Sequence, residues 1–534
     1  MAVLKSVKVT PSASGSPKIY GKDAIDDLAG RRSQELIIGL SGPIGCGLPD
    51  VKSALERCLQ DRHYQIVNVK VSELILEEAR ARGLDDVRAP DEDAQFARIW
   101  RLQTIGNSLR HVLGEDIGAQ LAMRKIAVDR VEKNPGTDIA NIEPVRVAYI
   151  IDQLKHPKEV ALLRSVYGNL FFMIGVLASQ VKRRRNVETI LSRSDHLVEM
   201  LMDRDRKESD DNGQQLDKTL QYAEFFINNS SSNVDGRKDA ISRFLGLIHG
   251  ENGLTPTAKE RGMFAAHTAS LRSACLSRQV GASIMDAAGN LIATGCNDVP
   301  RAGGGLYEPG PDDMRCMVRD ETCHNDKHKA KLRDEVAKIL ASDGMDFVKA
   351  VALADRIRTE TRVKDLIEFS RAVHAEMDAI VSVARTGAPR IVNSVMFTTT
   401  YPCHSCARHI VAAGVKVVYF IEPYEKSLAD DLHNDSIVQD PDVEAAWADL
   451  DQAGKVAFIH FEGVAPHRYT KLFQASASRK GKDGKALPTA PDSEKRVPEY
   501  LDDYRELEAR VIDRLDKVGL APVLASPTDS GDAA

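Results

Sequence analysis

Apolar and polar positions along this chain fall into strand, loop and helix units. Glu35 to Leu40 is a continuous apolar run of strand length. It meets Gly42-Pro43-Ile44-Gly45-Cys46-Gly47-Leu48-Pro49, and then a helical spacing from Asp50 that places Val51, Leu55 and Leu59 on one face. Val147 to Asp152 is a second strand pattern ending in an acidic residue, and Asp217 to Asn229 reads as a helix followed by a strand. In the second half, Ser394 to Thr399 predicts a strand that feeds a helix opening near Pro402. Gly414 ends that helix, and Lys416 to Ile421 predicts the next strand. Upstream, Ser370 is a candidate N-cap for a helix carrying Val373, Ile380 and Val383. Strands alternating with helices in this way predict an α/β protein.

Two of these helices carry the chemistry. His374-Ala375-Glu376 is followed by Pro402-Cys403-His404-Ser405-Cys406. His374, Cys403 and Cys406 supply the nitrogen and sulfur donors that zinc prefers. A three-ligand zinc leaves its fourth position to water, whose pKa drops to roughly 7. Glu376 is then expected beside the metal as the proton carrier. Cys403 and Cys406 are three apart and share a helix face. His374 and Glu376 are two apart, a spacing that converges in the first turn of a helix. Two helix N-termini would aim positive partial charge at the thiolates. A lone Cys-x-x-Cys also fits a redox pair or half of a structural zinc knuckle. The sequence has no second such pair, and neither alternative calls for His-x-Glu upstream.

Composition narrows the class. A chain of 534 residues exceeds one ordinary core and predicts two or three domains. The formal net charge of −6 argues against an extended nucleic-acid surface and suits a small-molecule enzyme. The longest apolar stretch, around Asn169 to Ala178, is too short to span a bilayer, and Met1 to Tyr20 lacks an apolar signal core. The expectation is a cytoplasmic protein with no membrane partner. Eight scattered cysteines read as reduced thiols. Thr10 to Pro17, Asp203 to Gln215, Ala475 to Pro488 and the tail after Leu524 read as linking or frayed segments.

From about Leu254 to Phe473 the chain resembles a deoxycytidylate deaminase. The pattern His-x-Glu with Pro-Cys-x-x-Cys is the signature of zinc nucleobase deaminases. Further matches are Arg272-Ser273 to Gln279-Val280-Gly281-Ala282, Gly295-Cys296-Asn297-Asp298-Val299-Pro300, and His374-Ala375-Glu376-Met377-Asp378-Ala379-Ile380. Asp378 stands where the family commonly has Asn. The resemblance implies a three-layer α/β/α sandwich around a mixed five-stranded sheet, a zinc cofactor and a homo-oligomer. It also implies that Asn297 contacts the nucleotide. Thr400 and Tyr401 either line the pocket or only end a strand, and His404 and His409 read as helix surface or packing. Cys316, Cys323, His324 and His328 fit a second, structural zinc or are incidental. Glu422-Pro423-Tyr424-Glu425-Lys426-Ser427 and His433 to Ile437 resemble a two-domain branch of the family, in which Lys426 or Ser427 meets a phosphate or lies in a solvated loop.

The N-terminal half resembles a P-loop kinase-like domain. Gly42, Gly45 and Gly47 lie in a glycine-rich loop, but Leu48 and Pro49 stand where the lysine and hydroxyl residue belong. Kinase chemistry is therefore not expected. Asp152 ends its strand as a Walker B acid would, or simply caps it. Lys182-Arg183-Arg184-Arg185 is a lid for phosphates or RNA, or a solvated helix face. The whole arrangement resembles bacterial anti-phage deoxycytidine-nucleotide deaminases, with dCTP and dCMP as implied substrates and a regulatory nucleotide or RNA as implied partner. The expected organisation is a flexible segment over 1–30, a degenerate kinase-like domain over 31–250, a zinc deaminase domain over 254–475 and a basic linker with a C-terminal segment over 476–534. An editing deaminase acting on nucleic acid and a non-catalytic nucleotide-sensing zinc protein are the alternatives.

Overall fold

The computed structural model describes residues 32–91, 93–136, 145–191, 195–206, 215–230, 233–387, 390–424, 427–440, 454–475 and 479–519. The linker calls at Thr10 to Pro17 and after Leu524, the residue Lys426, and 207–214 within the charged run lie outside the described residues.

The first sheet is built from β1 (Leu36–Ser41), β2 (Gln65–Lys70), β3 (Val147–Asp152), β4 (Phe171–Leu177) and β5 (Phe225–Asn228), all parallel in the order 2-3-1-4-5. Every residue of β1 and β4 is buried, which is why their sequences are continuous apolar runs. Leu36, Ile38 and Leu40 pack on one face with Val51, Leu55 and Leu59 of the helix Leu48–Gln60. Ile37 faces the other side with Ile105, Leu109 and Ile117.

The second sheet contains β6 (Gly281–Met285), β7 (Leu291–Cys296), β8 (Val395–Thr400), β9 (Val417–Glu422), β10 (Ile437–Gln439) and β11 (Val456–His460), in the order 10-11-9-8-6-7. The pairs β6–β7 and β6–β8 are antiparallel and the rest parallel. It is mixed, as expected, but has six strands where five were predicted, because Ile437–Gln439 adds a short edge strand beyond β11. The helix Ala258–Ser270 covers one face and the helices Ala375–Thr386 and His404–Ala413 the other, so Phe397 and Tyr419 point away from Met396 and Val418. Two glycines allow this closeness. A Cβ on Gly281 would lie 1.9 Å from the Ala266 carbonyl, and one on Gly295 2.3 Å from the Ala375 carbonyl.

The chain then returns to the first sheet. β12 (Gly463–Val464) pairs antiparallel with β5, and Phe461 meets Phe226 edge-on. The stretch over 476–534, expected as a linker and C-terminal segment, contains the helix Leu501–Gly519, packed on Ile117–Lys133. It is amphipathic, and Tyr504, Ile512 and Leu515 are buried. Arg130 donates to Glu35 at 2.8 and 3.0 Å and to Glu508 at 2.6 Å, and Glu508 also accepts from the Tyr167 hydroxyl. The first unit is therefore made of two stretches of chain with the second sheet inserted between them.

Candidate active site

Both chemical helices begin at a ligand. His374 is the N-cap of Ala375–Thr386, with extended backbone (φ −79°, ψ 155°), and Cys403 is the N-cap of His404–Ala413. The predicted cap Ser370 lies in the preceding loop, its hydroxyl near the Ala372 backbone. Starting at Ala375 puts Glu376 in the first turn, so the i, i+2 pair converges. Gly414 ends the cysteine helix in the left-handed conformation, as its sequence predicts.

His374 Nδ1 lies 3.3 Å from Cys403 Sγ and 3.4 Å from Cys406 Sγ. The three donor atoms lie within 4.8 Å of one another. Zinc bonds of about 2.0–2.3 Å in a tetrahedron give ligand separations of about 3.5 Å, so the set fits the ion. The Cys406 amide points at Cys403 Sγ at 3.4 Å, placing the helix N-terminus against the sulfur. Hydrogen bonds from Cys406 and the His374 ring hold the Cys403 thiol well below its ordinary range. The hydrogen bond to Cys403 raises His374 to about 9. Glu376 is buried, its Oε2 is 3.4 Å from Cys406 Sγ, and burial first, then the Cys403 charge, raise its carboxyl.

A cavity of about 270 Å³ opens onto His374, Glu376 and Cys403. This is near the low end of small-molecule sites. Its walls include Arg278, Val280, Asn297, Lys329, Thr400 and Tyr424. Asn297 is where the sequence places it, but its amide is committed to backbone: Oδ1 accepts from Val280 N–H at 2.7 Å and Nδ2 donates to Arg278 O at 2.8 Å. Thr400 faces Glu422 at 3.4 Å, and the Tyr401 hydroxyl donates to Asp430 at 2.8 Å. Lys329 and Asp326 reach the cavity from the insertion helix His324–Ser342. Nothing in the local sequence marks them, because that helix is distant along the chain from the metal ligands.

The second-zinc set does not assemble. Among the described residues, only His374, Cys403 and Cys406 form a group of three or more metal donors. Cys316 faces Arg371, Cys323 faces Ser277, and His324 pairs with Asp320. The helix Cys316–Arg319 and the start of His324–Ser342 thus aim these side chains at different partners. Ser427 donates to Pro402 O, so it braces the zinc turn. His409 Nδ1 meets Ser405 O within its own helix, away from the metal donors.

Residues 256–422 match the family described as the cytidine and deoxycytidylate deaminase zinc-binding region. This stretch is a deaminase domain of that type, and its cofactor is zinc. Curated relatives include ComE operon protein 2 of Bacillus subtilis (strain 168), 31% identical over 93 residues, which are 17% of this chain and 49% of that protein. The chain thus spans about half the length of that relative. The deoxycytidylate deaminase of Enterobacteria phage T4 is 27% identical over 162 residues, 30% of this chain and 76% of the phage protein. Among solved structures, the dCMP deaminase of cyanophage S-TIM5 with dCMP and dUMP covers 38% of this chain and 98% of its own, at 21% identity and a TM-score of 0.22. TT1252 from Thermus thermophilus covers 40% and 97%, at 16% identity and a TM-score of 0.25. Among the described residues, no helix is long and apolar enough to cross a membrane.

Proposed function

We propose that the chain hydrolytically deaminates free deoxycytidine nucleotides, converting dCMP to dUMP and dCTP to dUTP with release of ammonia. The observation that carries this reading is Glu376. It is a buried carboxyl outside the ligand set, 3.4 Å from a ligand sulfur and open to the same cavity. A purely structural zinc has no use for it. Zinc on His374, Cys403 and Cys406 would supply the Lewis acidity that makes water nucleophilic near neutral pH. Glu376 does the proton work: it accepts a proton as water oxygen adds to C4 of cytosine and gives it to ring N3, then takes the second proton from the new C4 hydroxyl and delivers it to the departing amine. The C4–N4 bond breaks, and a carbonyl remains on the uracil product. Arg278 and Lys329 are the cations lining the pocket, and we assign them to the phosphate end of the nucleotide.

The first unit reads as a P-loop kinase-like domain without phosphoryl transfer. The parallel order 2-3-1-4-5, the glycine loop after the central strand β1 and Asp152 at the end of β3 support the first half of that reading. Leu48 and Pro49 support the second. The resemblance of the chain to bacterial anti-phage deoxycytidine-nucleotide deaminases supports reading the activity as depletion of the deoxycytidine nucleotide pool in anti-phage defence. A cytoplasmic homo-oligomer with a regulatory nucleotide or RNA is the accompanying assignment. Zinc-loaded protein incubated with dCMP, dCTP, CTP and a cytosine-containing DNA oligonucleotide tests the reaction by chromatography of the products. Uracil nucleotide from dCMP or dCTP, lost in Glu376→Ala with zinc retained, is expected. Turnover of the oligonucleotide alone would move the chain to the nucleic-acid class.

A further inference from the structure

The glycine loop after β1 is already occupied by the protein. Ile44 N–H donates to Asp205 Oδ2 at 2.6 Å, and Lys155 Nζ donates to Asp205 Oδ1 at 2.7 Å and to Gly42 O at 3.0 Å. Asp205 is 2% exposed. It comes from the last turn of the helix Asp195–Arg206, more than 160 residues beyond the loop in sequence.

A loop of this kind binds an oxyanion with backbone N–H groups and one ammonium. Here one carboxylate receives both kinds of donor. The ammonium is not at the position where the sequence motif would carry it; Lys155 brings it from the segment after β3. Protein also lies close against two of the loop's glycines. A Cβ on Gly45 would lie 2.4 Å from Arg183 O, and one on Gly47 2.4 Å from Asn229 Nδ2. Asn186 and Asn229 donate to the carbonyls of Gly45 and Cys46 at 2.8 Å each.

We propose that Asp205 is a tethered internal ligand standing in for phosphate. It shuts the loop against nucleotides, and its removal turns the loop into a phosphate site. This rests on reading 42–47 as a phosphate loop. A carboxylate held on the same chain acts at an effective concentration that dilute free phosphate does not match. Asp205 is thus an autoinhibitory contact of the first unit, and Lys155 is the cation it sequesters.

Inorganic pyrophosphate and magnesium ATP, titrated calorimetrically into the full-length protein, test this alongside hydrogen exchange of the peptide spanning 42–47. Wild-type protein is expected to bind neither ligand and to protect the loop. Asp205→Ala should gain at least tenfold in pyrophosphate affinity, lose protection at Ile44, and lose the gain again when Lys155→Met is added. Asp205→Asn, nearly the same shape, carries the test if the alanine variant is poorly folded. Wild-type binding as tight as the variant's would overturn the latch. Faster exchange without any pyrophosphate binding would leave the carboxylate contact standing, but would overturn both the proposed phosphate site and the phosphate-loop reading. Unchanged exchange would show that the contact is not made.

Discussion

His249 shows how much one side chain can reveal about its charge state. Its Nδ1 lies 2.7 Å from the Leu245 carbonyl and can only donate there. Its Nε2 then accepts from the Tyr64 hydroxyl at 3.0 Å and faces Arg146 at 3.4 Å. That pattern requires a neutral ring. Burial, with Arg146 and Arg62 nearby, lowers its pKa from 6.5 to about 3. The folded pKa lies below the unfolded one, so the stability it contributes is present above about pH 6.5 and is lost as pH falls toward 3. The limiting slope is roughly 1.4 kcal/mol per pH unit. Urea unfolding of wild type and His249→Gln should show a stability difference that shrinks steadily from pH 7 to pH 4. A difference constant with pH would mean that the ring is not held neutral. At this scale the metal ligands and Glu376 were legible in the sequence because zinc chemistry dictates residue types and spacing. The hydrogen bonds of Asn297 and Tyr401, which both line the cavity, were not, since only the fold turns their polar atoms toward backbone and Asp430.

At the scale of elements, the metal site depends on how closely a helix approaches a strand. Gly295 on β7 lies under the first turn of Ala375–Thr386, and a Cβ there would be 2.3 Å from Ala375 O and 2.4 Å from Ala379 N. Those are backbone atoms, which cannot rotate aside. Gly295→Ala should therefore displace the helix that carries His374 and Glu376, at a cost of about 1–3 kcal/mol. Zinc affinity, read with a chromophoric chelator, should fall together with the melting temperature. Loss of stability with zinc affinity intact would mean that the helix shifts without disturbing its N-cap. The strand limits around the metal and the end of the cysteine helix were predictable to about a residue, because the apolar runs and Gly414 punctuate them clearly. The sixth strand was not, since Ile437–Gln439 is too short to show a period. The start of the metal helix was misplaced because a histidine serves as its N-cap.

Across the whole molecule, the two units share one apolar core, in which Met263, Phe397 and Tyr419 cluster with residues of the first unit such as Phe226 and Ile151. The C-terminal helix completes that unit through buried charge. Glu508 sits against Arg130 and Tyr167 and is 3% exposed. Glu508→Ala leaves Arg130 with Glu35 alone and should destabilise the protein by about 3–5 kcal/mol. Glu506→Ala, which breaks the exposed pair with Arg510, should change stability by less than about 1 kcal/mol. Chemical denaturation of the two variants side by side measures the contrast, and equal effects would mean that the Arg130 cluster is not closed. This closure was invisible in the sequence. A helix over Leu501–Gly519 has an amphipathic pattern, but no local signal says which surface, hundreds of residues earlier, receives it.

That return of the chain through β12 has a consequence for synthesis. A ribosome finishes β1 to β5 early, yet the edge strand and the closing helix of the same sheet emerge only after the entire zinc-binding insert has been made. The insert has all of its described strands by residue 460. The older half of the nascent chain must wait, with the Glu35 side of its core uncapped, until the last helix clears the exit tunnel. Closure of the first sheet therefore waits for synthesis of the whole insert, and a chain stalled before residue 500 lacks the helix whose Glu508 meets Arg130.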